Sequence, residues 1–239
     1  MLATAAAVAS CAVPQRLDAR QEVPRFDLRL WPHGLVSATA AIGAALGEAF
    51  GSQLPHATCA PCDRSSLPEF DRMALGPERR AVSRVSDVLL IGTTAAAGLF
   101  LLNERAGARA AAREDVAVLA QAVSVSAALT TLLKVIVSRP RPVRYDSVAA
   151  AFAGADDGRS FPSHHAGIAA AAAAAYIAIH HRRGDLREHR GRALLLAGAA
   201  VLTGSLRVAG RRHFPSDVAA GLGLGAITGW LYTRSVPLR

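Results

Sequence analysis

The feature that most constrains this 239-residue chain is a series of apolar segments, most of them near the ~20 residues a helix needs to cross a bilayer, with arginines gathered between them. They run over about Val85–Leu102, Val116–Val137, Ser163–His180, Ala193–Val208 and Val218–Tyr232, and a shorter one, Leu35–Phe50, carries Glu48. Polar residues group at the segment ends instead of striping one face, as an amphipathic soluble helix requires. Ala, Gly, Ser and Thr are frequent within them and allow close helix approach in lipid. With 51% hydrophobic and only 19% charged residues, the chain is more apolar than an ordinary soluble domain. The expected fold is all-α: an integral membrane helical bundle of five transmembrane helices, or six if Leu35–Phe50 also spans. The rival is a soluble Ala-rich bundle, since Ser163–His180 is thin in Leu, Ile and Val.

The net charge of +9 raises the question of a nucleic-acid partner. The basic residues, however, lie between apolar stretches, and aromatics make up only 5% of the chain, so there is no basic face interleaved with stacking side chains. The reading is no nucleic acid, with the lipid bilayer as the partner.

Residues 1–32 read as an N-terminal tail. Residues 1–13, MLATAAAVASCAV, resemble the later part of a secretory or lipoprotein signal, with Cys11 near its end but no basic start; the alternative is an ordinary tail. Residues 14–32 are polar, Arg-rich and broken by Pro14 and Pro24, which suits a linker or surface segment. Residues 33–239 form the membrane-embedded domain, with a motif-bearing core over 85–235. His56, Cys59 and Cys62 follow the first apolar segment. Zinc needs a fourth ligand and a redox dithiol needs a βαβ context, so two loop cysteines with a structural role are expected, or a local disulfide in an oxidising compartment. Asp63–Arg84 reads as an amphipathic interfacial segment. Asp156-Asp157-Gly158 reads as a turn in preference to a metal site, and His180, His181 and His189 read as solvated loop residues.

Three stretches carry chemistry. In Arg207–Asp217, RVAGRRHFPSD, Pro215 fits the first position of a helix and Asp217 its first turn. His213 then lies just outside, free to rotate, with Asp217 near enough to accept a hydrogen bond from one ring nitrogen and leave the other as nucleophile or base. In Lys134–Pro142, KVIVSRPRP, the prolines end an apolar helix near Ser138 and place Arg141 in an extended exit; Lys134 is the only lysine in the chain. In Phe161–Gly167, FPSHHAG, Pro162 and Ser163 are helix-start residues, and the free N–H groups there form an anion site beside Ser163 and His165.

Together these stretches resemble the type 2 phosphatidic acid phosphatase superfamily, which also contains bacterial acid phosphatases and vanadium haloperoxidases. Its signature is Lys-x6-Arg-Pro, then Pro-Ser-Gly-His, then Ser-Arg-x5-His-x3-Asp. Here Lys134, Arg141 and Pro142 match the first part, Pro162, Ser163 and His165 the second, and Arg207, His213 and Asp217 the third. His164 stands in place of the family Gly and Leu206 in place of its Ser. The resemblance implies that His213 attacks phosphorus to form a phosphohistidine, Asp217 orients it and His165 protonates the leaving oxygen. Lys134, Arg141, Ser163 and Arg207 are implied to hold the phosphate oxygens. His164, whose side chain either narrows the pocket or adds a contact, is counted with them. A fixed cationic cradle stabilises the charge spread over a phosphoryl group in transfer, so neither metal nor cofactor is expected.

Loop charge gives topology. Arg105, Arg109 and Arg113 in one connection, and Arg182, Arg183, Arg187, Arg190 and Arg192 in another, place both inside by the positive-inside rule. The connections carrying the motifs then face outward. The expectation is a multi-pass protein of a bacterial inner membrane, its active site facing the periplasm or exterior, that hydrolyses a lipid phosphate or lipid diphosphate. Phosphotransfer to a lipid or sugar acceptor, vanadate-dependent haloperoxidase chemistry and non-catalytic binding of anionic headgroups are the alternatives.

Overall fold

The computed structural model describes residues 24–28, 31–105 and 107–239. The signal reading of residues 1–13 and Cys11 lies outside them. The described chain is helical, with a single isolated bridge between Phe26 and Leu238 and no strand. Its long helices are α1 (Trp31–Ala49), α2 (Arg80–Glu104), α3 (Arg109–Val137), α4 (His164–Arg183), α5 (Leu186–Ala209) and α6 (Pro215–Ser235).

Each helix covers its expected apolar segment to within one residue, and all are longer, because further residues continue the turns at the ends. Among the described residues, α2, α3 and α5 are long and apolar enough to cross a membrane. The expectation of five or six spans therefore outruns what length and hydropathy alone support. The reason lies in composition: the alanine run of α4 is flanked by His164, His165, His180 and His181, and α6 carries Gly221, Gly223, Gly225 and Gly229.

The bundle is built around α4, which packs against α2, α3, α5 and α6, most extensively α6. Its alanines from Ala169 to Ala173 are buried. Small side chains let the neighbours close in, and α6 answers with glycines four residues apart. A Cβ on Gly225 would lie 2.0 Å from the Gly167 carbonyl oxygen, and one on Gly221 2.4 Å from that of Ser163. The close approach at Gly221 sets the N-terminus of α6 beside that of α4, where the Ser163 N–H donates to the Asp217 carbonyl at 2.9 Å. Large apolar side chains instead face outward: Val88 and Ile91 on α2, Ile136 on α3, Leu194 on α5 and Leu231 on α6 are all more than half exposed. Small residues at the α4–α6 contact and an outer surface rich in large apolar side chains are what a lipid environment favours.

The two ends of the bundle differ. At one end, the connections expected to be inside shrink to a few residues, because α3 begins at Arg109, α4 runs to Arg183 and α5 begins at Leu186. There Arg105 pairs with Asp185 at 2.7 Å, Arg183 with Asp115, and Arg192 with Glu104 at 2.5 Å. Of the three histidines read as solvated loop residues, His181 is exposed but lies on α4, while His180 and His189 are enclosed. His180 is fully buried, 3.0 Å from Glu104 and 2.8 Å from Asp185, and stacks on His189 at 4.0 Å. Helix extension carries them into the bundle end, and His181 lies against Trp230.

At the other end, residues 138–162 form three short 3-10 turns, Pro142–Tyr145, Ala149–Phe152 and Ala155–Gly158. Residues 51–79 cover them; within Asp63–Arg84, two 3-10 turns, Arg64–Ser66 and Glu69–Ala74, lead into α2. Cys59 and Cys62 are joined in a disulfide. The Cys62 N–H donates to the Arg144 carbonyl at 2.8 Å, and Arg144 donates to the Cys59 and Gly154 carbonyls, so the covering segment is tied to the motif-bearing loop.

Candidate active site

Three chain segments meet at that second end. α3 stops at Val137, with Ser138 in the left-handed region (φ 45°) ahead of the two prolines. Lys134 is therefore in the last turn of α3, buried, and Arg141 in the extended residues beyond. Ser163 caps α4, followed by His164 and His165. Arg207 lies in the last turn of α5, His213 in the connection, and Asp217 in the first turn of α6, which begins at Pro215.

His213 is 1% exposed and is held, not free to rotate. Its Nδ1 is 3.6 Å from Asp217 Oδ2, beyond a direct hydrogen bond. Ser160 stands between: its hydroxyl donates to Asp217 Oδ2 and lies 3.4 Å from His213 Nδ1. A hydroxyl has one proton to give, and a carboxylate only accepts. With that proton directed at Asp217, the Ser160 oxygen is placed to accept from Nδ1–H, the tautomer that leaves Nε2 with its lone pair. Asp217 is itself fixed by the Phe214 N–H at 2.9 Å and by Arg139 at 2.7 Å. Arg139 also reaches Asp71 at 2.8 Å and lies 4.3 Å from the centre of the Phe214 ring. Asp71 accepts from the Ser216 N–H and hydroxyl at the start of α6.

Burial, and then the charges of Arg141, Lys134 and Arg207, hold the His213 imidazole well below its ordinary pKa. The site therefore presents a neutral imidazole among cations. Arg141 Nη2 is 2.8 Å from Asp156, while its Nε and Nη1 are buried without a partner. Arg207 donates to Asp87 at 2.9 Å and Ser86 at 3.2 Å, and its Nε is likewise unpartnered. The Ser163 hydroxyl is fully buried and unpartnered. Buried donors left without acceptors are costly, about 1–3 kcal/mol each and more for charged groups, unless an acceptor arrives from outside.

His165 Nε2 is 2.9 Å from Asp87 Oδ1, and the two residues line a cleft of about 420 Å³ together with Arg207 and Arg212. Arg212 pairs with Glu78 and Asp156, both at 3.3 Å. The Asp156-Asp157-Gly158 segment is the turn expected of it. His164 Nδ1 lies 3.0 Å from the Thr130 hydroxyl of α3. The ring thus has a partner within the bundle.

The residues singled out from the sequence thus gather at one end, while Asp71, Asp87, Arg139 and Ser160 join them without having been singled out. Only Arg139 carried a local signal, lying between Lys134 and Arg141. A family model described as the PAP2 superfamily matches residues 115–239. No curated protein and no solved structure matches the chain.

Proposed function

Because the chain belongs to the PAP2 superfamily, we propose that it is a membrane phosphatase that removes phosphate from a lipid phosphate or lipid diphosphate through a phosphohistidine on His213. Family membership supports phosphatase-type activity on phosphate esters. The observation that carries the reading is the set of buried donors without acceptors, Arg141 Nε and Nη1, Arg207 Nε and Ser163 Oγ, around a neutral His213. A tetrahedral oxyanion supplies the acceptors those donors lack.

In this reading Nε2 attacks phosphorus, and the positive charge that develops on the ring is stabilised through Nδ1–H by Ser160 and Asp217. Lys134, Arg141, Arg207 and Ser163 hold the transferring oxygens, and His165 gives its proton to the leaving oxygen. Water then attacks the phosphohistidine and releases inorganic phosphate. The cationic side chains stabilise the charge that a metal stabilises elsewhere.

The outward-facing apolar side chains support a bilayer setting, with α4 and α6 enclosed as further spans beside α2, α3 and α5, and α1 as a sixth if it too crosses. An apolar groove of about 560 Å³, lined by Met73, Val208, Val218 and Leu222 with Arg79 and Arg211, adjoins the site and suits a hydrophobic tail. The arginine-rich opposite end and the disulfide at the site end support an active site on the periplasmic or exterior face of a bacterial cell membrane. The test is phosphate release by purified protein in detergent with EDTA present, over lipid phosphates and diphosphates, beside His213→Ala. Release from a lipid class, lost by orders of magnitude in the variant, is expected; equal release by the variant overturns the reading.

A further inference from the structure

The group that departs from phosphorus sits on the side of His165, and the cleft there has a charge pattern of its own. Two of its cations are already matched: Asp87 accepts from Arg207 and faces His165, and Glu78 accepts from Arg212. Two more arginines, Arg80 and Arg84, line the same cleft one helical turn apart at the start of α2. Both are exposed, and neither has an ion-pair partner among the described residues. The leaving-group side of the site therefore holds two guanidinium groups that no carboxylate neutralises.

An alcohol leaving group gives such a pair nothing to bind. A phosphate does, because two guanidinium forks match its oxygens in geometry and charge. From this juxtaposition of Arg80 and Arg84 with His165, and resting on the function proposed above, we propose that the substrate is a diphosphate ester whose departing phosphate is bound by Arg80 and Arg84. Nε2 of His213 attacks the terminal phosphorus, and the bond from that phosphorus to the bridging oxygen breaks. The bridging oxygen keeps the electron pair and takes the proton of His165, so the product that leaves is a phosphate monoester. Water cleaves the phosphohistidine to inorganic phosphate and returns the ring to its starting state.

The experiment compares kcat/KM for a short-chain alkyl diphosphate and the alkyl monophosphate of the same chain, in detergent, for wild type, Arg80→Gln/Arg84→Gln and Arg80→Lys/Arg84→Lys. Wild type is expected to prefer the diphosphate, and the ratio to fall at least about tenfold in the Gln variant and less in the Lys variant, which keeps the charge. Both variants change exposed side chains and leave the bundle core untouched. A ratio unchanged by the Gln variant overturns the inference while the phosphatase reading stands. Equal loss on both substrates also overturns it and assigns the two arginines to general attraction of anionic surfaces. No turnover of either substrate by wild type overturns the phosphatase reading and this inference together.

Discussion

Arg139 donates to Asp217 at 2.7 Å and, through its other terminal nitrogen, to Asp71 at 2.8 Å. One guanidinium thus ties the carboxylate behind the His213 relay to a segment that precedes the family match at residue 115. The planar fork makes both contacts at once, and lysine, a point charge, cannot reproduce that geometry.

Arg139→Lys is therefore expected to lower kcat at least about tenfold with little change in KM, because Arg139 positions the nucleophile and does not touch substrate. Steady-state kinetics on the variant check this. A raised KM with unchanged kcat would place Arg139 in substrate binding instead.

Asp156 competes for the cradle. Burial works against its ionised form, but Arg141, Lys134 and Arg212 outweigh that and hold its carboxyl below the usual range. A carboxylate thus stands on the guanidinium that a phosphate needs. Asp156→Asn is expected to tighten inhibition by orthovanadate, about three- to tenfold, through loss of this competitor. Weaker inhibition in the variant would mean that Asp156 orients Arg141 and does not block it.

The depressed pKa of His213 has a sign that can be measured. The folded ring stays neutral as pH falls below its ordinary value near 6.5, while the unfolded ring takes up a proton. The folded state then binds fewer protons, so this group's stabilising contribution is full above the ordinary value and is lost as pH falls toward the folded one. Imidazole ¹⁵N spectra, with His213 assigned by its absence in His213→Asn, are expected to show a neutral, Nδ1-protonated ring at pH 6 in the ligand-free protein. A half-titrated signal at that pH contradicts the burial argument.

Much of this was legible in the sequence because the relevant signals are local. Prolines at 140 and 142 end α3 after Lys134, Pro215 opens α6 two residues before Asp217, and the alanine run marks a helix that must be enclosed. What was not legible depends on contacts between distant residues. Ser160 between His213 and Asp217, Asp87 on His165 and Arg207, and Asp71 on Arg139 sit in stretches without distinctive spacing. The direct His213–Asp217 bond expected from a four-residue spacing gives way to a serine fifty-three residues upstream of the histidine. Likewise His180 and His189, placed in a loop by their arginine neighbours, are drawn into the bundle by acids on α2 and in the short turn before α5.

The central claim is that phosphorus passes through His213. The most direct measurement is to mix the protein with a substrate radiolabelled in its terminal phosphate, quench in base, where phosphohistidine survives, and map the label. Label on His213, absent in His213→Ala and displaced by unlabelled substrate, is the predicted result. Rapid phosphate release with no label on the chain, or label on another residue, would contradict it.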